Sequence, residues 1–499
     1  MSYDLYWGDL HSHCSISYGH GSIEQALERA RQQLDFCSIA GHAFWPDMPT
    51  DRNRYAEIID YHNEGFARCA KNWSKLIESH KRTTVAGEFV ALPSYEWHSL
   101  EYGDHNVYCP QADLPLRDAP DLPALRKLAR AVDGIAIPHH IGYRKGYRGI
   151  NWDAYREEVS PFVEVFSLHG CSLGADAAYP MLHDMGPRDF GSTAEEGWRR
   201  GHKFGIVGGT DHHAAYPGSH GDGRMGVFAE TLTRQRLVEA FKARRVYAAT
   251  GDKIDARLFI NDAWIGQTVK APGARNLQIS VLGMDELDQV RLLKNGRILG
   301  RYFPTVEGSD SNRYRLRLTW GWGRKTERVK WRASLALSEG AIRSVDTCFS
   351  GQAVVSPKTD AEETAADMDG ELLPHAVTER NNKSVAWRSV TSGNLSMRHA
   401  TTQGISLEIE ASRDAEMRVI VNGRTFRHKL AEILEGGRSH FLRGWLTEAI
   451  QIGPAVPLNL CRVEETLTDK PKKKMDIYRL EVAQKNGHWA WLTPIWAEA

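Results

Sequence analysis

Histidine and carboxylate side chains crowd the first half of this chain in short, repeated spacings. Sixteen of the 21 histidines lie between His11 and His220, and the remaining residues of the 499-residue chain hold five. Neutral imidazole and carboxylate oxygen are the ligands that borderline divalent metals prefer in proteins. The first half of the chain therefore predicts a site for more than one metal ion, and with it a metal-dependent enzyme.

Two residue pairs have the spacing that lets both side chains reach one ion. His11 and His13 directly follow an apolar run, and Asp211 and His213 follow a pair of glycines. Side chains two residues apart in an extended chain lie on the same side of the backbone. Glu96, at the end of a third apolar run, supplies a carboxylate that can bridge two ions. Bridged ions about 3.5–4 Å apart lower the pKa of a water molecule and stabilise attacking and leaving oxygens, which suits hydrolysis.

The elements that must position these groups alternate between short apolar runs and helical patterns. Strands are predicted at residues 5–10, 36–40, 90–95, 106–109, 135–138, 162–167 and 204–208. Helices are predicted between some of them, at residues 23–33, 55–80, 123–132 and 236–242. This alternation predicts an α/β fold with a parallel sheet, open or closed into a barrel, whose reactive groups lie at the carboxyl ends of the strands.

The pattern changes after residue 254. Residues 255–499 show two-residue alternation of apolar and polar side chains, as in Tyr314-Arg315-Leu316-Arg317-Leu318. Asn-Gly pairs at 295–296, 422–423 and 486–487 are hairpin turn signals. We therefore predict a catalytic domain at 1–254 and an all-β, sandwich-like accessory region at 255–499, of one or two units, with a long loop at 358–382.

The composition limits which binding partners and which cellular compartment we expect for this chain. The chain has 63 basic and 63 acidic residues, whereas binding to nucleic acid or an anionic membrane favours a basic excess. The N-terminus lacks the charged and apolar regions of a signal peptide, and the seven scattered cysteines fit a reducing compartment. We expect a cytoplasmic protein that acts on a small molecule without nucleic-acid or membrane partners. A mature secreted chain and a homo-oligomer stay open as alternatives.

Several segments taken together resemble the PHP (polymerase and histidinol phosphatase) superfamily, in a branch where a PHP domain precedes a β-rich region. They are residues 6–13, 95–97, 137–139, 163–170, 209–213 and 245–251. The ending, residues 478–496, also matches that branch, so the likeness spans nearly the whole chain. The resemblance implies a distorted seven-stranded (βα) barrel with two or three divalent metal ions, zinc, manganese or iron, at the strand ends.

By position, the resemblance implies three sets of metal ligands: His11, His13, Glu96 and Asp211; Glu96, His105 and His139; and His42 with His213. Two departures from the superfamily pattern concern the third set. Tyr18 stands where the superfamily usually has a metal-binding Asp, and His20 is the candidate to take its place. Ala40-Gly41 precedes His42 where Thr-Asp is usual, so an acidic group behind the ligand is lost.

Three further residues are assigned catalytic roles. His169 or His140 would protonate the leaving group after a metal-activated water attacks the substrate. His139 is preferred over His140 as the metal ligand because adjacent side chains of a strand point apart. Arg148 lies in a basic loop beyond these histidines, where it could bind a phosphate or a carboxylate.

The expected activity is hydrolysis of a phosphoester, and the phosphoester part follows from the resemblance alone. A hydrolase or lyase acting on a carbohydrate, ester or amide without phosphate is an alternative, because a fold does not determine a reaction. A non-catalytic binding protein stabilised by metal is a second alternative. An amidohydrolase-type barrel also begins with His-x-His, but it typically uses a carbamylated lysine in the bridging place that Glu96 is positioned to fill.

Overall fold

The computed structural model describes residues 3–182, 185–305, 312–323, 328–354, 372–392 and 402–499. The strands of the first half are β1 (Asp4–Asp9), β2 (Phe36–Phe44), β3 (Val90–Trp97), β4 (His105–Tyr108), β5 (Ile135–Pro138), β6 (Phe162–Ser167), β7 (Gly170–Cys171), β8 (Gly205–Gly208), β9 (Arg224–Ala229) and β10 (Val246–Ala249). Its helices are α1 (Ile23–Arg31), α2 (Arg52–Thr83), α3 (Leu122–Ala131), α4 (Ala194–Arg199) and α5 (Arg234–Lys242).

Apart from the helix α6 (Leu430–Glu435) and a short 3-10 helix (Leu458–Cys461), the elements in the described part of the second half are strands. Its first strands are β11 (Asp255–Ile260), β12 (Ala263–Trp264), β13 (Thr268–Lys270), β14 (Arg275–Leu282), β15 (Leu287–Lys294), β16 (Arg297–Tyr302), β17 (Arg313–Trp322), β18 (Arg328–Leu337), β19 (Ala341–Cys348), β20 (Ala376–Arg380) and β21 (Ser384–Ser392). Those that follow are β22 (Gln403–Glu410), β23 (Glu416–Val421), β24 (Arg424–Lys429), β25 (Arg438–Phe441), β26 (Glu448–Ile452), β27 (Val456–Pro457), β28 (Arg462–Asp469), β29 (Met475–Gln484), β30 (Trp489–Leu492) and β31 (Ile495–Glu498).

The predicted strands and helices of the first half are confirmed, with shifts of a few residues at their ends. Helix α1 begins after Ser22, whose Oγ accepts the Gln25 N–H while the Gln25 side chain accepts the Ser22 N–H. This reciprocal cap satisfies backbone donors that the first helical turn leaves without partners. Strand β2 runs four residues beyond its predicted end, so that His42 lies inside a strand.

The strands that carry the candidate ligands belong to two separate sheets. In the large sheet β1, β2 and β3 pair in parallel, β4 pairs antiparallel with both β3 and β5, and β9 pairs antiparallel with β1 and β10. Strands β6 and β8 pair in parallel in a small sheet with β7. A short link without a helix joins β3 to β4, which permits only antiparallel pairing there. The fold is mixed α/β and strand-rich, and the described ladders do not form a closed seven-stranded barrel.

The large sheet continues into the second half of the chain. Strand β10 pairs antiparallel with β30, and β29, β31, β13 and the β15–β16 hairpin extend the sheet further. Trp7 and Tyr247 from the first half share one hydrophobic core with Leu480 and Leu492 from the last strands. Strands from both sides of the predicted boundary at residue 254 therefore belong to one sheet, because the chain returns to the first half at its C-terminal end.

Two further sheets form the predicted sandwich. One contains β19, β22, β17, β26 and β25, with β27 beside β17, and the other contains β20, β21, β18, β23 and β24. Trp320 and Leu407 of the first sheet share one buried core with Trp387 and Val419 of the second. Residues 376–380 of the predicted long loop form β20, and its residues 358–371 lie outside the described part of the chain.

The Asn-Gly signals are confirmed as hairpin turns. Asn295-Gly296 joins β15 to β16, and Asn422-Gly423 joins β23 to β24, with positive φ at both residues of each pair. Asn486-Gly487 lies between β29 and β30, which pair antiparallel. Among the described residues, no helix is both long and apolar enough to cross a membrane.

Candidate metal centre

The structure brings seven of the nine predicted ligands into one buried cluster. None of these residues is more than 5% exposed. Their ligand atoms form overlapping groups in which all members lie within 4.8 Å of one another. The seven residues are His11, His13, His42, Glu96, His139, Asp211 and His213.

The two spaced pairs predicted from the sequence lie side by side. The His13 N–H donates to the His212 carbonyl (2.8 Å), and the Asp211 N–H donates to the His11 carbonyl (2.7 Å). Gly209 allows this close approach, because a Cβ there would lie 2.9 Å from His11 Cβ. The two segments therefore present their imidazole and carboxylate groups to the same space.

Strand register places the bridging carboxylate. His42 of β2 is the parallel partner of Glu96 in β3, so the two side chains lie on the same face of the sheet. Glu96 Oε2 is 3.4 Å from Nε2 of both His13 and His42. Its other oxygen, Oε1, is 3.4 Å from His139 Nε2 and 3.3 Å from His98 Nδ1. The two oxygens of one carboxylate thus face different sets of imidazoles, as a carboxylate that bridges two cations would.

Hydrogen bonds behind the rings leave ligand nitrogens facing the centre. His13 Nδ1 donates to the Ala40 carbonyl (2.9 Å), and His213 Nδ1 donates to the Asp211 carbonyl (3.0 Å). Carbonyl oxygens only accept, so the Nδ1 atoms of both rings carry the hydrogen and their Nε2 atoms present lone pairs. His11 Nδ1 lies 2.8 Å from Glu164 Oε2, the carboxylate–histidine arrangement that orients metal ligands.

Buried polar atoms without hydrogen-bond partners collect in this space. Among the described residues, they include His11 Nε2, His13 Nε2, Glu96 Oε2, His98 Nε2 and both ring nitrogens of His139. A buried donor or acceptor left without a partner costs about 1–3 kcal/mol. Divalent cations would satisfy these atoms together, so the donor set fits the metal ions that the sequence predicts.

The electrostatics of the centre favour neutral imidazoles and ionised carboxylates. Burial lowers the pKa of His42, His139 and His213 well below the usual imidazole value, so these rings stay neutral. Burial opposes ionisation of Glu96, but His98 and the side chain of His11 hold its pKa well below the usual range.

The pKa of His11 shifts in the opposite direction from that of the three neutral imidazoles. Burial disfavours its charged form, yet the carboxylates of Asp211 and Glu164 raise its pKa well above the usual value. The same carboxylates would attract a metal cation in place of that proton.

Two predicted ligands are not placed in the cluster. His105 of β4 is the cross-strand partner of Trp97, not of Glu96, so its side chain lies on the opposite face of the sheet from Glu96. Its Nδ1 donates to the Gly103 carbonyl (2.9 Å), and burial lowers its pKa to about 4. His20 is half-buried and lines a cavity of about 540 Å³ with Tyr18 and residues of α2.

His139 and His140 do not point apart, contrary to the prediction. Their ring centroids are 4.3 Å apart, and both lie near Glu96. His140 has a φ of 34°, a left-handed conformation that ends the strand alternation after Pro138. Both imidazoles therefore face the centre.

The other two predicted catalytic residues have protein partners. His169 Nε2 is 2.8 Å from Asp211 Oδ2, and its Nδ1 is 2.8 Å from the Tyr143 hydroxyl. Arg148 donates to Asp104 through Nε (2.7 Å) and Nη2, and its Nη2 is 2.9 Å from His98 Nδ1. His169 thus orients Asp211, and Arg148 holds Asp104 and His98.

His98 and Asp104 belong to the site although sequence reasoning did not assign them to it. His98 has the same two-residue spacing from Glu96 that His13 has from His11, and this Glu-x-His spacing was the available signal. Asp104 accepts from Arg148 and lies 3.3 Å from His98 Nδ1 and 3.4 Å from His140 Nε2. The sequence signal for Asp104 was weaker, because only its position directly before His105 suggested a role in the site.

Tyr18 occupies the place where the superfamily pattern has an acidic ligand. Its ring stacks on His42 with the centroids 3.5 Å apart and is 8% exposed. The phenol therefore packs against the outer face of this imidazole.

Comparisons with known proteins place the chain among uncharacterised relatives. A family model described as a protein of unknown function (DUF3604) matches residues 217–278, which run from the end of the loop after β8 through β9, β10 and β11 into β14. An uncharacterised protein of Chlamydia pneumoniae is 26% identical over 330 residues, which cover 62% of this chain and 50% of that protein. An uncharacterised protein of Chlamydia muridarum is 25% identical over 200 residues, which cover 37% of this chain and 32% of that protein. The match thus spans half or less of these relatives' length.

One solved structure is similar over a larger share of its length. It is a two-domain protein from Bacteroides vulgatus, described as containing a predicted PHP-like metal-dependent phosphoesterase. The similarity covers 60% of this chain and 85% of that one, with 16% sequence identity and a TM-score of 0.33. A TM-score of this size does not establish a common fold.

Proposed function

We propose that this chain is a metal-dependent hydrolase of the PHP type, with phosphoesters as the favoured substrates. The placement of Glu96 carries the proposal, because its two oxygens face different sets of buried imidazoles. A carboxylate in that position can hold two cations side by side, and paired cations are typical of enzymes that displace groups at phosphorus. A small-molecule substrate fits this chemistry.

The ligands divide into three groups in this proposal. His11, His13, Glu96 and Asp211 would hold one ion. Glu96 would hold a second with His98 and His139, which each have a ring nitrogen within 3.4 Å of Glu96 Oε1. His42 and His213, whose Nε2 atoms are 3.3 Å apart, would hold a third together with a nearby donor. Imidazole and carboxylate donors suit zinc, manganese and iron. His98 takes the place that the sequence assigned to His105.

The remaining groups of the centre orient the ligands and move protons. When bound, the ions supply positive charge that stabilises a developing oxyanion and lower the pKa of a coordinated water. Glu164 orients His11, His169 orients Asp211, and Arg148 fixes Asp104 beside His98. His140 is the candidate acid for the leaving group, because its Nδ1 has no hydrogen-bond partner among the described residues.

Burial of the centre favours a second candidate function, that of a binding protein stabilised by metal. A catalytic site must admit its substrate, yet none of the seven clustered ligands is more than 5% exposed. Structural metal sites are closed by protein ligands, whereas catalytic sites keep an open position. A hydrolase would turn over its substrate and a binding protein would not, whereas both would contain metal.

Metal content per chain, measured by mass spectrometry on protein purified without chelator or histidine tag, is the first test. We expect two or three equivalents of zinc, manganese or iron. Less than half an equivalent after incubation with these ions would contradict both functions. Protein loaded with the ion found would then be assayed against phosphomonoesters, phosphodiesters and sugar esters.

The variant Asp211→Asn separates the two functions. We expect turnover to fall by about 100-fold or more, beyond the 10- to 100-fold typical when only a group behind a ligand is changed. Asp414→Asn, at a carboxylate that is 87% exposed in the sandwich, is the matched control and should keep full turnover. Full metal content with no turnover of any ester class would favour the binding protein.

A further inference from the structure

The loop that carries Asp211 and His213 lies against the all-β half of the chain. We call residues 211–221, which link β8 to β9, the metal loop, and residues 349–354, which follow β19, the strap. Four hydrogen bonds join them: the His213 N–H to the Val354 carbonyl (2.9 Å), the His220 N–H to the Phe349 carbonyl (2.9 Å), the Gly351 N–H to Ser219 Oγ (3.1 Å) and the Ser350 hydroxyl to the His220 carbonyl (3.0 Å).

Tyr216 anchors the metal loop in the sandwich. Its side chain is 4% exposed and belongs to the same hydrophobic core as Trp320 and Phe349. Gly351 of the strap lies directly against it, since a Cβ at position 351 would be 2.6 Å from both Cβ and Cγ of Tyr216. These tyrosine atoms are next to the backbone and cannot swing away, so any side chain at position 351 must displace the loop or the strap.

The strap is itself held by the sandwich. Gln403, the first residue of β22, accepts the Ser350 N–H (2.9 Å) and donates to the Ser350 carbonyl (2.8 Å). On the other side of the metal loop, Arg29 of α1 donates to the Ala214 and Ala215 carbonyls (3.4 Å each), with its guanidinium over the Tyr216 ring. The loop is therefore held between a helix of the first half and a sheet of the second.

We propose that the sandwich positions Asp211 and His213 through the strap, so that the all-β half sets the metal affinity of the centre. Tyr216 and Gly351 are the positioning residues, and they act through the metal loop without contacting the metal. The assignment of Asp211 and His213 as ligands rests on the proposed function, whereas the coupling of loop to strap does not.

The variant Gly351→Ala tests the coupling. We expect the dissociation constant of the most weakly bound ion to rise by about 10- to 100-fold, the range found when groups that orient ligands are changed. A competition titration with a chromophoric chelator measures it. Hydrogen exchange followed by mass spectrometry should show faster exchange in peptides that contain the His213 and His220 amides. Gly273→Ala is the matched control, because nothing lies within 4 Å of a Cβ there and its φ is not left-handed.

Ser219→Ala is the second variant, in case Gly351→Ala does not fold. It removes the hydroxyl that accepts the Gly351 N–H and should change affinity and exchange in the same direction by a smaller factor. Wild-type affinity and wild-type exchange of the loop in a folded variant would overturn the proposal. If the wild-type chain binds no metal, the proposed function fails, and loop exchange alone decides the coupling.

Discussion

Glu96 and His98 illustrate how two-residue alternation selects the imidazoles that face the centre. Glu96 lies at the end of β3 and His98 directly follows that strand, with 3.3 Å between Glu96 Oε1 and His98 Nδ1. His105 lies nearby in the adjacent strand, but its register with Trp97 turns it to the other face. The choice between these two histidines therefore depends on strand register and not on distance along the chain.

His98→Gln should reduce metal affinity, whereas His105→Gln should reduce the stability of the fold. We expect His98→Gln to raise the dissociation constant of one metal ion by about 100-fold, because an amide is a poor substitute for an imidazole ligand. His105→Gln should keep the metal content and lower the free energy of unfolding by about 1–3 kcal/mol, because a buried hydrogen bond is disturbed. Chelator competition and urea unfolding measure the two quantities. If His105→Gln lost metal and His98→Gln did not, His105 would be the metal ligand, as the resemblance implied.

Helix α2 contacts the centre through a glycine. A Cβ at Gly65 would lie 2.4 Å from Cδ1 of Tyr18, the ring that stacks on His42. Glycine in a helix interior is normally unfavourable, so its presence here indicates that the helix must approach Tyr18 closely. The bulk of the Tyr18 ring is thus matched by a small residue in the neighbouring helix.

Gly65→Ala tests which of two opposing effects is larger. Helix propensity favours alanine by about 1 kcal/mol, whereas overpacking a core costs about 1–3 kcal/mol. We expect a net destabilisation in urea unfolding, together with weaker metal binding at His42 as Tyr18 is displaced. Ala67→Gly, at an exposed position of the same helix, calibrates the propensity difference. A more stable Gly65→Ala chain with unchanged metal affinity would contradict the expectation.

At the scale of the whole molecule, the last strands, β29 to β31, belong to the same sheet as the first strand, β1. Buried Asp252 joins the parts: it accepts two bonds from Arg317 (2.7 Å each) and one each from Gln484 (2.7 Å) and Asn486 (2.8 Å). Burial opposes ionisation, but Arg317 and nearby imidazoles hold the Asp252 pKa well below the usual range. Four hydrogen bonds to this carboxylate therefore come from the second half, whereas His220 of the first half lies 2.8 Å from Asp252 Oδ1.

Residues 1–254 alone should not fold cooperatively. Residues 255–499 supply at least five large aliphatic side chains to the shared core: Leu287, Leu292, Leu480, Leu492 and Ile495. At about 2–5 kcal/mol for each one removed, their combined loss is comparable to or larger than the total stability of about 5–15 kcal/mol of an ordinary domain. Circular dichroism during urea unfolding should show no sigmoidal transition, and co-expression of residues 255–499 should restore one. A cooperative, metal-binding 1–254 fragment would show that the first half is an independent domain.

The sequence by itself located the candidate metal centre, because its strongest signals are local. His-x-His and Asp-x-His spacing, apolar runs and Asn-Gly turns depend on neighbours a few residues away, where backbone geometry is nearly constant. For the same reason the positions of the seven predicted strands of the first half and the three Asn-Gly turns of the second were predictable within a few residues.

Only the tertiary structure decided which groups meet across the chain. His140 has a left-handed φ, and its ring lies beside that of His139. The register of β3 and β4 puts His105 on the opposite face of the sheet from Glu96, and His169 lies 2.8 Å from Asp211. Likewise, the pairing of β10 with β30 joined the two predicted domains into one sheet. Such contacts depend on packing between distant segments, and residue spacing carries no information about them.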